Sequence, residues 1–186
     1  MKSTSTGEIS FIELSGSEEE NVTLEGLTRS LPKSLQMAIA RKKFREHRLR
    51  QAAGWLSLKY QLNKKGCDAD LIIEIQTTDF GKPFIPGTFN FSISYSGNFA
   101  VCAVSTVNQL GIDIEIIKDI NFPYFNKYFK DVEWSRIINS EDPQRSFFQY
   151  WTRKESVLKA DGRGLYVDLQ DVMVDENTGR INDSSI

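Results

Sequence analysis

The chain has 186 residues, with 25 acidic and 23 basic side chains, a formal net charge of −2 and a hydrophobic fraction of 40%. That length fits one compact domain or two small, intimate halves and needs no disulfide or metal staple, and the near-neutral charge argues against bulk nucleic-acid binding. The N-terminus lacks an apolar run of signal-peptide length, no segment is suited to span a bilayer, and the isolated Cys67 and Cys102 fit a reducing cytoplasm, with Cys102 in the core of a strand.

Residues 1–30 are polar, with one strand-like piece around Ile9 to Leu14 and an acidic run, Glu18 to Glu20, that reads as a solvated loop. From Pro32 the spacing turns helical. Leu35 and Ile39 mark one helix; Leu49, Ala53, Leu56 and Tyr60 mark a second that ends at Asn63 to Gly66. Arg41, Lys42, Lys43, Arg45, Arg48 and Arg50 cluster between and within them, either as the wet face of a helical pair or as a cradle for an anion. Leu71 to Gln76 is rich in β-formers and predicts a strand, and Asp79 to Gly87 predicts a loop that holds Lys82. Phe89 to Tyr95 and Phe99 to Ser105 predict a hairpin about Ser96-Gly97-Asn98. Its alternation puts Phe91, Ile93 and Tyr95 on one face and Ser92, Ser94 and Ser96 on the other.

Gly111 to Ile117 reads as a strand with Asp113 and Glu115 on one face and Ile112, Ile114 and Ile116 on the other. Two carboxylates so placed repel unless water or a cation relieves them, so this face is either solvated or a cation site. The aromatics Phe122, Tyr124, Phe125, Tyr128 and Phe129 read as core. A long helix follows, with Asp142 as N-cap, Pro143 in its first position and Gly162 as its left-handed end. Phe147, Trp151 and Leu158 form its apolar stripe, and Glu155 and Lys159 stand one turn apart beside it. That pair is either an ordinary surface ion pair or part of a site. If the helix crosses the acidic strand, Glu155 joins Asp113 and Glu115, three oxygen donors suit Mg²⁺, and Lys159 faces a bound phosphate. Val167 to Asp175 predicts a last strand, followed by a turn at Asn177-Thr178-Gly179.

Gly111-Ile112-Asp113-Ile114-Glu115, followed by Trp151-Thr152-Arg153-Lys154-Glu155-Ser156-Val157-Leu158-Lys159, resembles the paired signature of the phosphopantetheinyl transferases. Phe91-Ser92-Ile93-Ser94-Tyr95-Ser96-Gly97 resembles the family segment that usually reads Ser-His-Ser-Gly, and Gly81-Lys82-Pro83 is similar to the family's Gly-Lys-Pro. These matches keep the family order, and the acidic Glu115 resembles the larger, surfactin-synthetase-activating type. The resemblance implies an α+β fold of two similar halves, 1–108 and 109–186. Each is a small, mainly antiparallel sheet with a principal helix, and pseudo-twofold packing puts the site between them.

The resemblance also implies a reaction: Mg²⁺-dependent transfer of 4′-phosphopantetheine from coenzyme A to a serine of an acyl or peptidyl carrier protein, releasing 3′,5′-ADP. Asp113, Glu115 and Glu155 would hold the metal, Glu155 would take the serine proton, and Lys159 would stabilise the phosphate. Arg50, Lys82, Ser94, Tyr95 and Lys154 would hold the cofactor, Arg50 through its spacing of four to Gly54. Tyr95 stands where the family's histidine lies near the 3′-phosphate of coenzyme A. The implied protein is a cytoplasmic monomer that uses neither nucleic acid nor membrane. Two rival classes remain: an Mg²⁺-dependent phosphodiesterase with water as acceptor, and a catalytically silent carrier-protein binder, for which Tyr95 is the telling residue.

Overall fold

The structure is a computed structural model and describes residues 7–14, 23–106, 109–121 and 124–182. Its first portion is a three-stranded antiparallel sheet in the order β1 (Glu8–Glu13), β5 (Phe99–Ser105), β4 (Asn90–Ser96). Residues Ala100 to Ser105 of the central β5 are all buried, as a strand covered on both faces should be. The predicted hairpin is present, turning at Gly97 and Asn98, with Phe91 opposite Val104 and Tyr95 opposite Ala100. Glu18 to Glu20 lie outside the described residues.

A short helix α1 (Leu24–Thr28) and α2 (Lys33–Ala40) lead into α3 (Arg45–Lys64), which lies across the sheet. Small buried residues let α3 approach closely: Ala52, Ala53, Gly54 and Ser57 all face inward. A Cβ on Gly54 would stand 2.6 Å from Ile93 Cγ2, so only glycine fits that crossing. Leu35, Ile39, Leu58, Leu62, Phe91 and Cys102 close the core. Burial pushes the Cys102 thiol up to about 12, which makes it a packing residue and not a reactive one.

Leu71 to Gln76 does not form the predicted strand. Asp68 accepts from the Asp70 amide at 2.9 Å and opens a 3₁₀ helix over Ala69–Glu74, burying Ala69 and Ile72 three residues apart. Helical spacing with a side-chain cap outweighs β propensity there. Only β2 (Gln76–Thr77) is extended, paired with β3 (Pro83–Phe84) across the loop that carries Lys82.

The second portion contains α4 (Asp131–Ile138), α5 (Pro143–Asp161) and the hairpin of β6 (Val172–Val174) and β7 (Gly179–Ile181). The α5 caps are those expected: Asp142 accepts from Arg145 N at 2.9 Å, and Gly162 has φ 94°. Phe125, Tyr128, Phe129, Phe147 and Trp151 form an aromatic core, with Trp151 stacked on Phe147 at 5.7 Å. Tyr124 is exposed instead, and Phe122 lies outside the described residues. The last predicted strand shrinks to Val172–Val174, and its turn is held by Asp175, which accepts from Asn177 N and Thr178 N. The architecture is thus α+β, with small antiparallel sheets and helices. Among the described residues no helix is long and apolar enough to cross a membrane.

Candidate active site

Gly111 to Ile117 is not the hydrogen-bonded strand predicted. Serine side chains of β4 hold it instead. Ile112 N donates to Ser92 Oγ and Ile116 N to Ser96 Oγ, each at 3.1 Å. Ser94 Oγ donates to Asp113 Oδ1 at 2.7 Å, and Ser96 Oγ donates to Glu115 Oε2 at 2.8 Å. Ser92 to Ser96 and Ile112 to Ile116 advance by equal steps, so the segment runs extended and parallel to β4. Hydroxyls take the amides that a ladder would give to carbonyls. Both acids therefore point at one row of serines, as the period of two required.

The same segment crosses α5 at Gly111. A Cβ there would lie 1.9 Å from Ser156 O and 2.5 Å from Ala160 N, so the crossing demands glycine. That contact brings Asp113 to Lys159: Nζ is 2.6 Å from Asp113 Oδ1 and 2.8 Å from Ser94 Oγ. Lys159 therefore pairs across to the acidic segment, and no ion pair within 4.0 Å joins it to Glu155. Glu155 is half-buried beside them. Burial raises its carboxyl above the ordinary range, Asp113 and Glu115 raise it further, and Lys159 opposes them. The three acids thus share one electrostatic neighbourhood without closing into a cage. Among the described residues no group of three or more potential ligands is placed to hold a metal ion. Asp113 Oδ2 is buried with no hydrogen-bond partner, a donor atom left over in an all-oxygen set.

Of these charged side chains, Glu155 and Lys159 stand at one wall of a cleft of about 360 Å³. Gln51 and Trp55 of α3, Phe80 and Lys82 of the loop, Phe91 and Tyr95 of β4, and Glu155 and Lys159 of α5 line it. Lys82 threads to the end of α5, donating to Ala160 O at 2.7 Å. Its stem crosses Gly162, where a Cβ would be 2.9 Å from Lys82 Cδ. Burial lowers its ammonium from the ordinary value, and Asp161 opposes the shift. The face pattern of β4 holds: Phe91 meets Trp55 edge to face at 6.4 Å, and Tyr95 stands 39% exposed on the cleft wall.

Two predicted cofactor contacts lie off the cleft and one is excluded. Arg50 does not line it; its Nε donates to the Glu46 carbonyl at 3.1 Å. Ser94 lies buried under the wall, engaged with Asp113 and Lys159. Lys154 is fully buried on the other side of α5, with Nζ 2.7 Å from Glu133 Oε2. It also donates to Leu169 O at 3.0 Å and to Val172 O, and lies over the Phe129 ring. Consecutive helix residues diverge by about 100°, so Glu155 and Lys154 cannot serve the same cleft. Burial lowers the Lys154 ammonium, and Glu133 opposes the shift. Gln51, Trp55 and Phe80 were not anticipated. The usable signal was Trp55, a large apolar residue lying off the Leu49–Ala53–Leu56–Tyr60 stripe.

Residues 109–184, which carry the acidic segment and α5, match the model of the 4′-phosphopantetheinyl transferase superfamily. The 4′-phosphopantetheinyl transferase gsp of Aneurinibacillus migulanus is 36% identical over 107 residues, 56% of this chain and 45% of that protein. The 4′-phosphopantetheinyl transferase Sfp of Bacillus subtilis is 32% identical over 123 residues, 64% of this chain and 52% of that protein. The L-aminoadipate-semialdehyde dehydrogenase-phosphopantetheinyl transferase of Xenopus laevis is 34% identical over 116 residues, 53% of this chain and 38% of that protein. The chain spans about half the length, or less, of these curated relatives. The family match falls on the segment that joins Asp113 to Glu155 and Lys159, and over that segment the chain is similar to the 4′-phosphopantetheinyl transferase superfamily.

Proposed function

We propose that the chain transfers 4′-phosphopantetheine from coenzyme A to a serine of an acyl or peptidyl carrier protein and releases 3′,5′-ADP. The observation that carries this reading is the meeting of Glu155, Lys159 and Asp113 beside an open cleft that Lys82 and Tyr95 also border. Glu155 holds a proton more firmly than an ordinary carboxyl, which suits a general base for a serine hydroxyl. The serine oxygen bonds to the phosphorus on the pantetheine side, the phosphoanhydride P–O bond breaks, and the electron pair leaves on 3′,5′-ADP. Lys159 is assigned to meet a phosphate oxygen with its ammonium as charge builds. Lys82, tethered at the end of α5, and Tyr95 hold the cofactor, with Arg50 adding charge from the turn of α3 before Gln51. Ser94 acts on the cofactor only through the side chains it orients.

Asp113, Glu115 and Glu155 are assigned to Mg²⁺, which their all-oxygen donor set and the unpartnered Asp113 Oδ2 favour. A magnesium ion held by these residues would supply neutralisation of pyrophosphate charge. The proposal includes two halves, 1–108 and 109–186, with pseudo-twofold packing; one long helix beside a small antiparallel sheet in each supports it. It also includes a monomer in a reducing cytoplasm, in keeping with the two free cysteines, Cys67 and Cys102.

The test is mass spectrometry of an apo carrier protein incubated with coenzyme A, Mg²⁺ and this chain. Gain of one phosphopantetheine on the carrier is the expected result. Release of free phosphopantetheine without a carrier would assign a phosphodiesterase. Carrier binding with no transfer would assign a silent binder.

A further inference from the structure

Lys159 stands where a cation bound to Asp113 would stand. Its ammonium is 2.6 Å from Asp113 Oδ1 and 2.8 Å from Ser94 Oγ, and Oδ2 of the same carboxylate is buried and unpartnered. The two partners differ in freedom. The Asp113 side chain is 6% exposed, tied to Ser94 and carried on a segment fixed by the Gly111 crossing. The Lys159 side chain is 30% exposed, lines the cleft, and has a flexible four-carbon stem. A divalent ion arriving at Oδ1 would meet the ammonium at contact distance, and like charges so placed repel. One of them must leave, and only the lysine has somewhere to go.

We infer that Lys159 is the resident counter-ion of Asp113, drawn off by the phosphates of an anionic cofactor, so that cofactor and divalent cation bind cooperatively and each binds weakly alone. This rests on the reading of the site given under Proposed function and deepens it: one side chain neutralises the acid before binding and the phosphate after it. Ser94 is then a positioning residue, whose donated hydrogen bond keeps Asp113 aimed after the lysine has moved. Coupling of this kind is reciprocal: the factor by which coenzyme A tightens the metal is the factor by which the metal tightens coenzyme A.

The probe is Mn²⁺, titrated into the full chain and followed by the EPR signal of the free ion, with and without saturating coenzyme A. Wild type should bind Mn²⁺ weakly alone and at least about tenfold more tightly with coenzyme A, the scale of one charge-assisted contact. Lys159→Met should bind Mn²⁺ about tenfold more tightly than wild type in the absence of coenzyme A, and the gain on adding the cofactor should shrink by a similar factor. Lys159→Arg, which keeps the cation, should restore the wild-type coupling. Circular dichroism checks that both variants remain folded. The inference is overturned if Lys159→Met leaves cofactor-free Mn²⁺ affinity unchanged or weaker, or leaves the coupling intact. Absence of Mn²⁺ binding by every protein, with and without coenzyme A, would instead remove the metal reading itself.

Discussion

Glu155 carries two expectations with one substitution. Glu155→Gln should cut turnover by on the order of 10²-fold or more in a steady-state transfer assay, the scale of losing a preorganised charged group. Asp113→Ala should do the same. Burial, then Asp113, raises the Glu155 carboxyl above its unfolded value of 4.5, so the folded chain holds that proton more tightly than the unfolded one. Its stabilising contribution is therefore complete below about pH 4.5 and is lost as pH rises through the folded-state value. Glu155→Gln should melt above wild type at pH 7, and the gap should close below about pH 4.5. An equal gap at both pH values would detach the shift from Glu155. Tyr95 gives a second expectation. A phenol offers one neutral hydrogen bond, whereas imidazole becomes cationic below about pH 6.5. Tyr95→His should raise the preference for coenzyme A over dephospho-coenzyme A, most strongly below that pH, read as the ratio of kcat/KM values. A constant ratio would leave Tyr95 a packing residue. The residues legible in the sequence were those governed by a strict period: Asp113 with Glu115 by two, Glu155 with Lys159 by four. Lys154 misled because a motif places a residue in the chain but not on a helix face.

At the scale of elements, the Lys154–Glu133 pair joins α5, α4 and the Leu169–Val174 segment. Glu133 also accepts from Lys130 N at 3.0 Å and from Val174 N at 3.1 Å. Removing one partner strands a buried charge, so Lys154→Ala should cost about 3–5 kcal/mol in urea unfolding. Lys154→Met combined with Glu133→Leu should recover part of that loss, because two apolar chains leave no charge to compensate. At temperatures where Lys154→Met is folded, its KM for coenzyme A should match wild type; a large rise would return Lys154 to the cofactor. Helices α2, α3 and α5 and the hairpin were legible because caps, stripes and a two-residue turn act locally, whereas α1 and α4 were not expected. The acidic segment and Ala69–Glu74 were not. The first depends on serines some twenty residues away, and the second on a single aspartate cap that overrides β-formers.

Across the whole molecule, distant parts of the chain are tied by few charges. Glu8 of β1 accepts from Lys64, at 2.7 Å, and from Lys65 at the end of α3, which hold its carboxyl at about 2. A depressed carboxyl stabilises above its unfolded value and loses that contribution as pH falls through the folded one. Wild type should exceed Glu8→Gln in thermal stability above about pH 4.5 and converge with it near pH 2. Identical acid titrations would show that the two ion pairs of Glu8 contribute nothing. The α+β class was legible from alternating periods. The cleft was not, since Trp55, Lys82, Tyr95 and Glu155 come from four separate stretches and meet only through packing.

The serine row has a consequence for how the acidic segment opens. Amide hydrogens in a ladder exchange with solvent only when the sheet separates, whereas Asp113, Ile114 and Glu115 donate no backbone bond to another described residue. In deuterated water those three should label early, while β4 and β5 label late, although all lie within a few residues of the same cleft. The loosest backbone of the site would then be the part that carries two of its charges.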